Sequence, residues 1–538
     1  MITEAYPVIS PASIPDGLLA AVEAYEAALL ANDVTTLDTL FAPGSDTIRG
    51  DGTTLLVGHD AITEFRVGRT PIPTRRIVEL HVRPVGADAA LVMASTVEPQ
   101  NGATGLQTQL WQRFPDGWKV TAAHVSLPKQ PGEPRPPVDP AVWRVAGTPL
   151  VPPTGSGALD GVTLAVKDLF AVAGQPIGAG NPTWLAEQEP QSSTAPAIAA
   201  LLAAGAEITG IARTDEFAYS LAGRNAHYGT APNPAVPGGI GGGSTSGPAA
   251  AVALGQVEIG LSTDTAGSIR VPASYQGLVG IRTTHGVIPT DGVLPLAPSF
   301  DTVGWLARTT GPVLRVAEVL LPAATGSRPA RTVILPTAER HASPDVAAAC
   351  ADRRTALVVD GLLPDAETVD LAPEMLEEWF TAFRTLQAFE AWAAHGEWIT
   401  THPGALGADV GARFAAAAEI TPARAHVARA TVTEARTWLR ALLADAVLVL
   451  PSSAGGAPPR DASGETIEAE RAGTLRMSCL AGLAGAPAVS VPLLRTADGR
   501  PAGLCLVGAP GTDLDLLQMV GAIEGTRHEP RTPGCVNP

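Results

Sequence analysis

The chain reads as an α/β protein, a sheet covered by helices on both faces, preceded by a small α+β unit. Three observations predict this. Nine prolines fall between Pro128 and Pro153, a density that favours extended backbone and marks a linker. Before it, helical spacing gives way to a run of strand-like segments. After it, strand-like and helical segments alternate. The expected division is residues 1–127, a linker over 128–155, and a larger unit over 156–538.

In the first unit, Asp16 is placed to cap a helix whose apolar positions include Leu18, Leu19, Val22, Tyr25, Ala28 and Leu29. A second short helix includes Leu37, Leu40 and Phe41. Strands are expected over Arg76–Arg83, Ala90–Glu98, Leu106–Phe114 and Trp118–Leu127. Pro115-Asp116-Gly117 supplies the turn between the last two: proline presets φ and glycine tolerates positive φ.

In the second unit, strands are expected over Val162–Val166 and Glu207–Ile211, and a helix over Thr194–Ala204. Another helix begins near Pro248, a residue suited to a first turn because its missing N–H costs nothing there. Residues 340–440 are helical and alanine-rich. Ala446–Pro451, Ala488–Leu493 and Gly503–Val507 return as strands.

A net charge of −17 argues against nucleic acid and weakly against anionic membranes. The opening residues carry no basic and apolar signal segment, and no apolar run of about 18 residues occurs. Cys350, Cys479, Cys505 and Cys535 lack paired spacing, so neither metal nor disulfide is expected. A cytoplasmic protein without cofactor or membrane partner is the expectation.

The chemistry concentrates in three places. Lys167 follows the apolar run Val162–Val166; Ser244 and Ser268 sit 24 residues apart in glycine-rich stretches. Serine needs a base to act as nucleophile, and lysine serves only when burial brings its pKa down from about 10.4. Around Ser268, the amides of Thr265, Ala266, Gly267 and Ser268 are placed to form an oxyanion hole. Asp264 and Arg270 flank that loop and are expected to pair and hold its shape. His227 and His285 lie nearby, but no Gly-x-Ser-x-Gly elbow surrounds either serine, so both are read as structural.

Between about Leu159 and Val507 the sequence resembles the amidase signature family, through Lys167, Gly241–Gly247 and Asp264–Pro272. Asn225–Gly229, Val271–Tyr275 and Pro298–Gly304 are similar to the branch containing indole-3-acetamide hydrolases. The resemblance implies an α/β/α sandwich around a mixed, twisted sheet. It implies a base at Lys167, a relay at Ser244 after a cis bond from Gly243, and a nucleophile at Ser268. Tyr219 and Ile240, with Gly242 and Gly243, take substrate-binding positions by the same resemblance. The sequence departs from the family at Gly238, Gly239, Gly241, Thr245 and Pro248, which bears on the pocket rim. The first unit resembles the NTF2-like superfamily, and within it the accessory proteins found beside amidases in s-triazine degradation. That implies a cone of sheet and helices, dimerisation through the sheet, and a pocket that Arg49, His59 and Arg66 are placed to face; these three are read as solvated.

The functional expectation is hydrolysis of a small or aromatic amide, with water as co-substrate, by a homodimer. A carbamate or ester hydrolase with the same triad, a glutaminase component, and a non-catalytic amidase-like binding protein are the alternatives. Presence of Lys167, Ser244 and Ser268 together favours the enzyme.

Overall fold

The computed structural model describes residues 6–51, 54–67, 75–97, 104–126 and 139–525. The chain forms two units, Met1–Pro137 and Val138–Pro538.

The first unit carries strands β1 (Val8–Ile9), β2 (Ile48–Asp51), β3 (Thr54–Val57), β4 (Arg76–Pro84), β5 (Ala89–Val97), β6 (Thr104–Phe114) and β7 (Gly117–Ser126). They form one sheet in the order β1-β4-β5-β6-β7-β2-β3. Burial alternates along β5, the mark of a sheet with one covered face. Helix Leu18–Ala31 supplies Leu18, Val22, Tyr25 and Leu29 to the core that also holds Trp111 and Val120. Asp16 does not cap that helix. Gly17 occupies the N-cap with φ 79°, a value glycine accepts, and the Asp16 carbonyl instead accepts from Trp118 Nε1 at 3.0 Å. Arg49 and Arg66 are buried rather than solvated: Arg49 lies over Phe65 and Arg66 over Phe41, while Arg66 also donates to the Leu37 carbonyl. His59 is partly buried and bonds to the Asp38 carbonyl.

The second unit carries β8 (Trp143–Val151), β9 (Thr163–Lys167), β10 (Glu207–Ala212), the short pair β11 (Arg224–Asn225) and β12 (Gly229–Thr230), then β13 (Ile259–Asp264), β14 (Val279–Arg282) and β15 (Thr302–Ala307). β16 (Arg331–Ile334), β17 (Ala366–Thr368), β18 (Ala446–Pro451), β19 (Ala488–Arg495) and β20 (Pro501–Val507) complete it. Eleven of these strands form a mixed sheet in the order β17-β16-β18-β20-β19-β14-β15-β13-β9-β10-β8. β9 pairs parallel with β10 and β13, whereas β15 pairs antiparallel with β13 and β14.

Alternate residues of each strand feed different cores. Leu164 and Val166, with Val447 and Val449, join a core that includes helices Thr310–Leu320 and Asp513–Gly525. Ala165, Leu448 and Leu450 face the other way, towards helices that include Ser246–Ala253, Pro373–Thr401, Pro422–Leu443 and Gly464–Ala484. The two-residue side-chain period therefore gives the sheet two helical layers.

The linker expected over 128–155 needs correction. Residues 127–138 lie outside the described residues, but β8 occupies most of the remainder as an edge strand on β10. An edge strand needs ladder hydrogen bonds on one side only, so Pro149 is tolerated there. Among the described residues no helix is long and apolar enough to cross a membrane. Cys350, Cys479 and Cys505 are buried free thiols; Cys535 lies outside the described residues.

Candidate active site

Lys167 closes β9, and the alternation that turns Ala165 towards helix Ser246–Ala253 turns the Lys167 side chain to the same face. It is fully buried. Its Nζ lies 2.9 Å from Ser244 Oγ, 3.0 Å from Thr263 Oγ1 and 3.3 Å from Thr245 Oγ1, with the Thr263 carbonyl at 3.4 Å. Burial lowers its pKa to about 7, against the opposing pull of Asp215, Asp264 and Asp301. A neutral amine has one lone pair and two N–H donors, so this ring of hydroxyls can satisfy all three.

Ser244 is fully buried and follows a cis peptide bond from Gly243. Its carbonyl accepts from the Asp215 amide at 3.1 Å and from Thr214 Oγ1 at 2.9 Å. The loop then meets the second serine loop, where the Thr245 amide donates to the Ser268 carbonyl at 3.2 Å. Ser268 is 3% exposed, and among the described residues it is not a hydrogen-bond partner of the lysine amine. The amine thus reaches Ser244, and the backbone brings Ser268 alongside.

The expected Asp264–Arg270 pair is present and bidentate, with Nε at 3.1 Å and Nη2 at 2.9 Å. Asp264 also accepts from the amides of Gly267 at 2.8 Å and Ile269 at 3.1 Å. Burial opposes its ionisation, but Arg270 and Arg282 outweigh that and hold the carboxyl well below the usual range. Arg282 Nη1 further bonds the carbonyls of Asp264 and Thr265. Ser478 Oγ donates to the Ala266 carbonyl at 2.5 Å.

This network changes the expected oxyanion set. The Gly267 N–H is committed to Asp264, so Gly267 contributes its φ of 125° to the turn instead. Among the described residues, the amides of Thr265, Ala266 and Ser268 have no partner. A cavity of about 400 Å³, counting its mouth, opens beside Thr263 and Thr265 and is lined also by Leu169, Ala218, Leu294 and Leu296.

The four residues placed at substrate positions separate. Ile240 lines a second cavity with Leu221, Val271 and Tyr275. Tyr219 is buried edge-on against Phe414. Gly242 and Gly243 are packed shut: a Cβ on Gly242 would lie 2.9 Å from Pro272 Cα, and one on Gly243 would lie 2.2 Å from Asp215 Oδ2. Their role is close backbone approach. The unusual rim Val236–Gly241 is clipped to the loop that follows β18: the Ile240 amide donates to the Pro458 carbonyl and Arg460 Nε to the Gly239 carbonyl. His227 bonds Glu216 and His285 the Pro298 carbonyl, neither joining the lysine cluster. Thr263, Thr245 and Arg282 were not singled out for these roles from sequence; the threonine beside Asp264 was the available signal.

Residues 153–402 match the Amidase family model and residues 8–131 the AtzH-like model. Amidase 1 of Oryza sativa subsp. japonica is 35% identical over 398 residues, covering 69% of this chain and 91% of that protein. A crystal structure of an amidase superposes with a TM-score of 0.62 at 30% identity, covering 69% of this chain and 85% of that one. The inhibitor-bound form of a vestigial protein complex that bears on the origins of an s-triazine catabolic enzyme gives 0.62 at 27% identity, with the same coverage. These relatives show that the chain belongs to the amidase family of hydrolases acting on C–N amide bonds, with an AtzH-like domain ahead of the amidase region.

Proposed function

We propose that the protein hydrolyses a small or aromatic amide through a Ser-Ser-Lys triad and an acyl-enzyme. The observation that carries this is the dry amine of Lys167, whose pKa of about 7 leaves about half of it neutral at pH 7, and which lies 2.9 Å from Ser244 Oγ. The Lys167 lone pair accepts the Ser244 proton while Ser244 Oγ accepts that of Ser268. Ser268 Oγ then bonds to the amide carbon, and the carbonyl electrons move to oxygen, stabilised by the free amides of Thr265 and Ala266. The relay returns a proton to the nitrogen as the C–N bond breaks. Water repeats the sequence on the ester, releasing acid and restoring Ser268. Incubation with aryl and aliphatic amides, followed by mass spectrometry, tests this: Ser268→Ala should abolish product, and turnover retained by that variant would exclude Ser268 as the nucleophile.

We also infer that the first unit pairs two copies through the open face of its sheet. Val78, Met93 and Leu106, on β4, β5 and β6, are 41%, 37% and 64% exposed, an apolar set suited to burial against a second copy. Sedimentation of the full chain tests this; a monomer at micromolar concentration excludes it.

A further inference from the structure

Three arginines from three different helices act on one tyrosine. Arg384 comes from Pro373–Thr401, Arg413 from Ala408–Ala418 and Arg471 from Gly464–Ala484. All three interact electrostatically with Tyr219, and Arg413 Nη1 donates to the Tyr219 carbonyl at 3.0 Å. Their charge is only partly matched. Glu468 lies 2.8 Å from Arg471 and 3.6 Å from Arg413, but it is half exposed and therefore a screened partner.

Arg471 is the member that faces inward. Its side chain is 10% exposed, and among the described residues its Nε has no hydrogen-bond partner. Burial and the like charges of Arg413 and Arg384 lower its pKa to about 10, so it stays cationic in a place unfavourable to a cation. A buried, unpaired guanidinium donor is costly unless something supplies the missing acceptor.

The cavity that Arg471 lines is the one lined by Ile240, Leu221, Val271 and Tyr275, a narrow recess that opens to solvent. Its walls continue into both serine loops. Val271 lies three residues beyond Ser268, and the Leu221 carbonyl accepts the Gly243 amide immediately before Ser244. The acid in that cavity, Glu470, already accepts from the Gly455 amide and the Tyr275 hydroxyl.

We propose that Arg471, with Arg413 and Arg384 adding to the field, receives an anionic group on the acyl portion of the substrate, so that the preferred substrates are amides bearing a carboxylate. This rests on the amidase reading above. A carboxylate there completes the unfilled Nε–H and offsets three converging positive charges, which a neutral chain end cannot do.

The test compares succinamate, glutaramate and adipamate with analogues in which a methyl ketone replaces the carboxylate. The full-length protein should favour the carboxylates by about tenfold or more in kcat/KM, carried mainly by KM, the size expected of one charge-assisted contact. Arg471→Gln should collapse that ratio and Arg471→Lys restore part of it. Equal handling of charged and neutral amides, or a ratio untouched by Arg471→Gln, overturns the proposal while leaving hydrolysis itself established. Calorimetry separates the two readings should no amide be turned over. Glutarate should bind the Ser268→Ala protein and lose about tenfold in affinity when Arg471→Gln is added. Undiminished binding overturns the anion site irrespective of turnover.

Discussion

Thr263 Oγ1 stands 3.0 Å from Lys167 Nζ, on the strand whose next residue, Asp264, anchors the Ser268 loop. One strand end therefore touches the Lys167 amine and shapes the Ser268 loop at once. Thr263→Val removes an acceptor that favours the ammonium form. A net hydrogen bond of about 1 kcal/mol corresponds to a fall of about 0.7 pH unit. The acid limb of the kcat/KM profile should move down by that amount.

In the unaltered protein that acid limb should lie near pH 7, where Lys167 releases its proton. With the neutral amine as the proposed base, activity should rise with pH through this region. A plateau extending well below pH 6 would remove Lys167 from that role.

The same residue makes stability rise with pH as well. Its pKa is about 7 folded and 10.5 as the ordinary value, so between these pH values the unfolded chain binds the extra proton. Stability then rises with pH across that window, and the burial penalty is fully present below it. Lys167→Met should abolish activity. The difference in Tm between variant and parent, measured from pH 7 to pH 10, should shift progressively in the parent's favour.

Asp264→Asn leaves Arg270 and Arg282 buried without their shared anion. Loss of one member of such a network typically costs about 3–5 kcal/mol. Denaturant unfolding should show a loss of this order, with activity falling alongside.

Gly243→Ala pushes a methyl group to 2.2 Å from Asp215 Oδ2 and 2.7 Å from the Gly223 nitrogen. Neither neighbour is the far end of a flexible chain, since Asp215 Oδ2 already accepts from the Gly223 amide. The variant should lose both thermal stability and turnover. A fully active, equally stable Gly243→Ala protein would contradict this packing.

Much of the site was legible because its parts are local. Lys167 ends an apolar run and each serine sits in its own glycine stretch, short motifs that carry the resemblance to the amidase family from which their roles are read. Asp264 and Arg270 lie six residues apart on one loop, and their pairing followed. What escaped was non-local or competitive. Arg282 reaches Asp264 from β14, and Arg384, Arg413 and Arg471 meet from helices separated in sequence. The Gly267 amide could be assigned to an oxyanion only until a nearer carboxylate claimed it. β8 was hidden by prolines, whose ban from strands applies to interior positions and relaxes at an edge.

The ties from Asp264 to Arg270, Arg282, Gly267 and Ile269 join a strand end, a turn and a helix start into one fixed body. Their formation belongs to folding and precedes any encounter with substrate. Successive substrates consequently meet a loop already set, and none has to supply the work of arranging it.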